Sequence, residues 1–112
     1  MSEFTQISTA ADAQHATARL AGGGIATVSW SKSQHGTAVQ LTGATAPSGK
    51  VLQLWSIRDG VATSAGLYDG GQHYALITGT PSSGESLAVT VEPDGGSSHP
   101  TTQPIVRIKL DA

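Results

Sequence analysis

Val51-Leu52-Gln53-Leu54-Trp55-Ser56-Ile57 decides the fold. Read with a period of two, this stretch is apolar on both phases, as a strand covered on both faces and central in its sheet would be. Outward from it, the other segments are apolar on one phase only. Ala16, Ala18 and Leu20 alternate with His15, Thr17 and Arg19, and Ala26, Val28 and Trp30 alternate with Ile25, Thr27 and Ser29. Thr37, Val39 and Leu41 alternate with Ala38, Gln40 and Thr42, and Leu87, Val89 and Val91 with Ala88, Thr90 and Glu92. Near the end, Val106, Ile108 and Leu110 alternate with Arg107 and Lys109. Each reads as a strand with one buried and one wet face. Leu67-Tyr68 and His73–Ile77 are weaker candidates.

Turn signals separate these segments: Ser33-Gln34-His35-Gly36, Pro47-Ser48-Gly49, Arg58-Asp59-Gly60, Asp69-Gly70-Gly71, Thr80–Gly84 and Pro93-Asp94-Gly95-Gly96. They recur roughly every 10–15 residues, and no long helical pattern intervenes, so a doubly wound α/β fold is excluded. The expectation is an all-β domain, an antiparallel β-sandwich of about eight short strands, immunoglobulin-like in general architecture. Residues 14–112 form that domain. Residues 1–13 read as a flexible or extended lead-in; Ala10, Ala11 and Ala13 favour a helical turn, which Gly22-Gly23-Gly24 ends early. Met1-Ser2-Glu3-Phe4 has the polar character of a vector-derived start.

Composition narrows the function. The 112 residues carry 12% charged side chains and a formal net charge of -2, which argues against a nucleic-acid partner. The chain contains no cysteine, so disulfides, thiolate metal sites and cysteine nucleophiles are excluded. Gly, Ser and Thr are abundant, yet with 38% hydrophobic residues the chain is too apolar for a disordered tail. This balance suits an exported β module. No apolar run approaches the roughly 18 residues of a membrane helix, and no signal peptide opens the chain.

A search for chemistry finds little. His15, His35, His73 and His99 show neither H-x-H nor H-x-x-x-H spacing, and read as surface histidines rather than as a metal site assembled from distant strands. No serine sits in a G-x-S-x-G elbow. Several of the carboxylates Glu3, Asp12, Asp59, Asp69, Glu85, Glu92, Asp94 and Asp111 sit in turns. Neither Gly22-Gly23-Gly24 nor Gly95-Gly96 matches a phosphate loop. Trp30, Trp55, Tyr68 and Tyr74 fit a carbohydrate-stacking platform in residue type, but both tryptophans lie in apolar strands and read as core. The residues by themselves point to a non-enzymatic β-sandwich without a cofactor.

Two segments carry a resemblance. One is Leu54-Trp55-Ser56-Ile57-Arg58-Asp59-Gly60 with Ser64-Ala65-Gly66-Leu67. The other is Leu87-Ala88-Val89-Thr90-Val91-Glu92-Pro93-Asp94-Gly95-Gly96-Ser97 with Pro100-Thr101 and Pro104-Ile105-Val106. In order and spacing they resemble the C-terminal domain of the anti-sigma-K factor (RskA) family, with its L-W strand and turn, S-A-G step and E-P-x-G-G-S-x-x-P-T stretch. Gly24–Ser31 and Pro47–Lys50 extend the resemblance over roughly residues 10–112. Leu52, where the family often has an aromatic residue, and Thr102, where it usually has glycine, depart from the pattern.

The resemblance implies a single-pass membrane anti-sigma factor. A cytoplasmic N-terminal domain would hold an extracytoplasmic-function sigma factor inactive, a transmembrane helix would follow, and this domain would lie on the extracytoplasmic side of the cell membrane. Cleavage by a site-1-type protease and then an intramembrane protease would release the sigma factor, and Thr5–Gln14 would be the accessible stretch. The matched residues take structural roles. Trp55 anchors the core between the sheets, and Gly66 permits close backbone approach or positive φ. Glu92 accepts N–H bonds from the Asp94-Gly95-Gly96 turn, Pro93 stops the ladder, and Pro100-Thr101 sets the return into the last strand. The other readings are a free-standing exported β-sandwich that binds a carbohydrate or protein ligand, and a metalloprotein built on the four histidines.

Overall fold

The computed structural model describes residues 2–68 and 73–110. A short helix, α1 (Glu3–Ser8), precedes eight strands: β1 (Gln14–Arg19), β2 (Ile25–Ser31), β3 (Gly36–Thr42), β4 (Lys50–Arg58), β5 (Val61–Tyr68), β6 (Tyr74–Thr78), β7 (Ser86–Pro93) and β8 (Val106–Lys109). Two antiparallel sheets result, with strand orders β1-β2-β3-β6 and β5-β4-β7-β8. Among the described residues no helix is long and apolar enough to cross a membrane.

Pairing follows the alternation. Ala26 faces Leu41 and Val28 faces Val39 across β2 and β3, and Leu54 faces Val89 across β4 and β7. Opposed residues of an antiparallel pair share a face, so these side chains meet between the sheets. With Trp30, Leu52, Leu87, Val106, Ile108 and Leu110 they form one buried core. Tyr68 ties the layers together: its ring is buried and its hydroxyl donates to the Val39 carbonyl at 3.0 Å. Burial raises its pKa. The β4–β5 hairpin turns on Asp59 (φ 52°) and Gly60 (φ 78°), two left-handed residues that suit the right-handed twist of the strands.

Three strands differ from the expected half-wet pattern. On β2 and β3, Ser29, Ser31, Gly36 and Ala38 are buried although they point away from the core, because α1 packs over that face. On β7, Ala88, Thr90 and Glu92 are buried as well. The connection from Asp94 to Ile105 is bonded across their face. A small or polar residue on the second phase is compatible with solvent or with a hydrogen-bonded cover, and periodicity does not separate the two. The weak Leu67-Tyr68 candidate is the tail of a full strand, β5. Its pattern is obscured by an irregularity: Leu54 faces Gly66 while Trp55 faces Ser64, leaving Ala65 as an extra residue.

The lead-in also differs from expectation. Residues 3–8 are helical rather than extended, with Ser2 Oγ accepting the Thr5 N–H at 3.2 Å as N-cap. Thr5–Gln14 is thus only partly an open stretch. The turn expected at Asp69-Gly70-Gly71 lies outside the described residues, as do Met1 and Asp111.

Candidate functional site

Trp55, Glu92 and Thr101 of the family-motif residues come together on the outer face of the second sheet. The register puts Val51, Gln53 and Trp55 of β4 opposite Glu92, Thr90 and Ala88 of β7, all on the side away from the other sheet. Trp55 is fully buried there. Its expected place between the sheets is corrected: the inter-sheet side of β4 belongs to Leu52 and Leu54. Trp55 Nε1 donates to Thr90 Oγ1 at 2.8 Å, and Thr90 Oγ1 donates to Glu92 Oε2 at 2.6 Å.

Glu92 is the centre of this network. Its carboxylate is fully buried and accepts from Thr101 N–H at 3.0 Å, Thr101 Oγ1 at 2.5 Å and Ser97 Oγ at 2.8 Å, besides Thr90. Apart from Thr90, the donors come from beyond the Asp94-Gly95-Gly96 turn, not from its N–H groups as expected; the Gly96 N–H goes instead to the Pro93 carbonyl at 2.8 Å. Burial pushes the Glu92 carboxyl up, but the hydrogen bonds from Thr101, Thr90 and Ser97 outweigh it and hold the pKa down at about 2. Among the described residues no buried side-chain polar atom lacks a partner. The carboxylate is therefore ionised, with its lone pairs turned to the chain itself. Its chemistry is that of a clasp.

Gln53 supplies a second clasp. Its amide nitrogen donates to Ser64 Oγ at 2.8 Å and to the Ser97 carbonyl at 3.1 Å, while its oxygen accepts the Ser97 N–H at 2.9 Å. Gly96 has φ 84°, and a Cβ there would sit 2.9 Å from Leu67 Cδ2 and 3.1 Å from Gln53 Oε1. Gly95, at φ 92°, has open space around it. Gly66 has φ 147° and lies on the inner side, where a Cβ would come 3.3 Å from the Ala75 Cβ. Pro93 is the last paired residue of β7, opposite Lys50. Pro100 lies in the connection just before Thr101 and is half-buried.

Gln53, Thr90 and Ser97 were missed as participants by sequence reasoning. The available signal was Thr90-x-Glu92, two polar residues of one strand on one face, followed by a cluster of hydroxyl donors at 97–102. Two further carboxylates do similar work elsewhere. Buried Glu85 accepts from Arg58 Nε at 2.9 Å, Ser82 N–H at 3.1 Å and Ser56 Oγ at 3.2 Å. Asp12 accepts from Ser31 Oγ at 2.5 Å and from Ser33 N–H at 2.9 Å, and these bonds lower its pKa. Beside the Arg58 end, Ser56, Val61, Thr63, Ala65 and Ile77 line an open groove of about 390 Å³.

The four histidines are His15, His35, His73 and His99. All four are exposed; His15 Nδ1 lies 2.9 Å from Ser29 Oγ, and His35 occupies a left-handed turn position at φ 52°. Among the described residues no group of three or more His, Asp or Glu side chains is placed to hold a metal ion. Trp30, Trp55 and Tyr68 are buried, and Tyr74 stacks on Phe4 with ring centroids 4.8 Å apart, so the four form no exposed platform.

The residues that build the clasp lie within the stretch that a family model matches. The family model described as anti-sigma-K factor RskA, C-terminal, matches residues 2–105. The chain belongs to this RskA C-terminal family. An uncharacterised protein in the phr 5′ region of Streptomyces griseus is 39% identical over 105 residues, covering 91% of this chain and 44% of that protein. Anti-sigma-K factor RskA of Mycolicibacterium vanbaalenii is 34% identical over 109 residues, covering 94% of this chain and 46% of the relative. Anti-sigma-K factor RskA of Mycobacterium sp. strain KMS is 32% identical, with 94% and 45% covered. The chain thus spans under half the length of the relatives it matches. No solved structure matches it.

Proposed function

We propose that this chain is the extracytoplasmic regulatory domain of a membrane-anchored anti-sigma factor, which holds an extracytoplasmic-function sigma factor inactive until regulated proteolysis releases it. The observation that carries the reading is similarity along nearly the whole chain to proteins named anti-sigma-K factor RskA, of which the matched stretch is only 46% in one case. The remainder of such a protein has room for a sigma-binding domain and a membrane span. The geometry is in keeping with a regulatory rather than a catalytic part: a fully buried carboxylate, Glu92, is spent on closing a loop.

On this reading the sigma factor contacts another part of the protein, and residues 1–112 do not bind it. Alkaline phosphatase, which is active only after export, fused to the full-length gene product directly after the position numbered 112 here tests the sidedness. Activity is expected; an inactive fusion present at normal level overturns it. Sigma factor should co-purify with the full-length protein and not with residues 1–112. Retention by residues 1–112 alone would remove the division of labour on which the reading depends.

A further inference from the structure

We propose that residues 2–12 form a releasable strap, seated by Ile7 over Gly36, which controls access both to its own backbone and to the outer face of the first sheet. The observations are three. Ile7 is fully buried although it belongs to a helix of six residues outside the sandwich. Its seat exists because Gly36 lacks a side chain: a Cβ at Gly36 would lie 2.5 Å from Ile7 Cδ1 and 3.2 Å from Ile7 Cγ1. The strap is fastened at both ends, by the stack of Phe4 on Tyr74 of β6 and by Asp12 on Ser31 and Ser33.

Each fastening is local, and a helix of this length does not persist alone in water. Loss of the Ile7 seat therefore turns the strap from helix to open chain, while the inter-sheet core, which does not include Ile7, stays closed. Opening does two things at once. It presents Phe4 and Ile7 in a segment that a protease can bind in extended form. It also uncovers Ser29, Ser31 and Ala38, which α1 shields from water. Resting on the anti-sigma reading, this makes strap release the step through which an event at this end of the domain is passed on as proteolytic access. The strap itself stands on the geometry alone.

The test is limited proteolysis of the 112-residue chain with thermolysin, which cuts before large apolar residues such as Phe4 and Ile7. Fragments are followed by mass spectrometry, and the sandwich by the fluorescence of Trp30 and Trp55. Two variants unseat the strap from opposite sides. Ile7→Asp removes the plug; Gly36→Ala fills the seat and leaves the strap sequence, and so its value as a substrate, unchanged. Both should speed cleavage within residues 2–12 by roughly tenfold to a hundredfold, with residues 14–110 still resistant. Wild-type strap cut as fast as in the variants overturns the proposal, since nothing then holds it. Strap and sandwich cut together, or variants that unfold the sandwich, overturn it too, since the strap is then part of one cooperative unit. Neither result touches the sidedness of the whole protein, which the phosphatase fusion decides.

Discussion

Thr101 donates twice to the Glu92 carboxylate, from its N–H at 3.0 Å to Oε2 and from its hydroxyl at 2.5 Å to Oε1. The two residues stand nine apart, so this one pair closes the connection between β7 and β8 back onto the strand it leaves. A charged acceptor makes the closure strong, because hydrogen bonds to an ionised group contribute more than neutral ones. It also makes it dependent on the charge.

That dependence predicts an acid limit. The Glu92 pKa is about 2 in the folded chain against 4.5 as its ordinary value. A lowered folded-state pKa stabilises the fold above the unfolded value, and the contribution fades as pH falls from about 4.5 towards about 2. The difference corresponds to about 3 kcal/mol. Urea unfolding of the wild type should show stability dropping across this window. Glu92→Gln, which does not titrate, should be less stable at pH 7 and lose much less between pH 5 and pH 2.5. Equal slopes for the two proteins would place the acid sensitivity elsewhere, with Asp12 as the next carboxylate to examine.

Removing hydroxyls one at a time should rank the donors. Thr101→Val leaves the Thr101 N–H in place and removes one bond to a charge, costing about 1.5–3 kcal/mol. Thr90→Val costs more, because it deprives Glu92 of a donor and leaves the buried Trp55 Nε1–H without its acceptor. Chemical denaturation of both variants gives the ranking directly. The reverse order would mean that a water or a rearranged side chain takes the place of Thr90.

The same residues mark what was legible in the sequence. Val51–Ile57 read as a central strand because both phases are apolar, and β4 does lie between β5 and β7. Ala26, Val28 and Trp30 read as core because a period of two needs no knowledge of partners. The side of the sheet taken by Trp55 was not legible. A strand buried on both faces offers two equivalent places for a large ring, and the choice depends on the Asp94–Ile105 connection returning over one of them. The helix at Glu3–Ser8 was hidden for a similar reason: six residues carry too little periodicity to announce a helix, and its stability comes from the Gly36 seat. The clasp was half visible. Glu92, Pro93 and Thr101 stood out by resemblance, whereas Gln53 lies 44 residues from Ser97 in sequence and only the fold brings them together.

Two adjacent glycines should respond differently to the same change. Gly95→Ala meets only the backbone penalty of φ 92°, about 1 kcal/mol, because its surroundings are open. Gly96→Ala meets that penalty at φ 84° and also drives a methyl group against Leu67 Cδ2 and the Gln53 amide. The second variant should be less stable than the first by at least another ~1 kcal/mol, and its Ser97 amide should exchange faster with solvent. Equal stabilities would mean that Leu67 and Gln53 move aside freely, and that the seating of Gly96 against them adds nothing to the clasp.

Trp55→Ala tests the placement of the ring itself. Truncating a fully buried tryptophan costs about 3–5 kcal/mol wherever it sits, so the loss of stability alone does not discriminate. The distribution of the loosening does. Trp55 shares the outer face of the second sheet with Gln53, Thr90 and Glu92 and is bonded to Thr90. A void there lies within the clasped layer and away from Val28, Val39 and Leu54 in the inter-sheet core. Amide exchange measured under native conditions should therefore accelerate first at Ser97 and Thr101, whose N–H groups bond to Gln53 and Glu92. The amides of β2 and β3, in the other sheet, should accelerate only as far as global stability falls. A ring standing between the sheets would give the opposite pattern, with β2 and β3 loosened as much as β4 and β7. Trp55→Phe narrows the test further: it keeps most of the side-chain volume but loses part of the fused ring together with the Nε1–H donor to Thr90, and should speed exchange at Thr101 less than Trp55→Ala does.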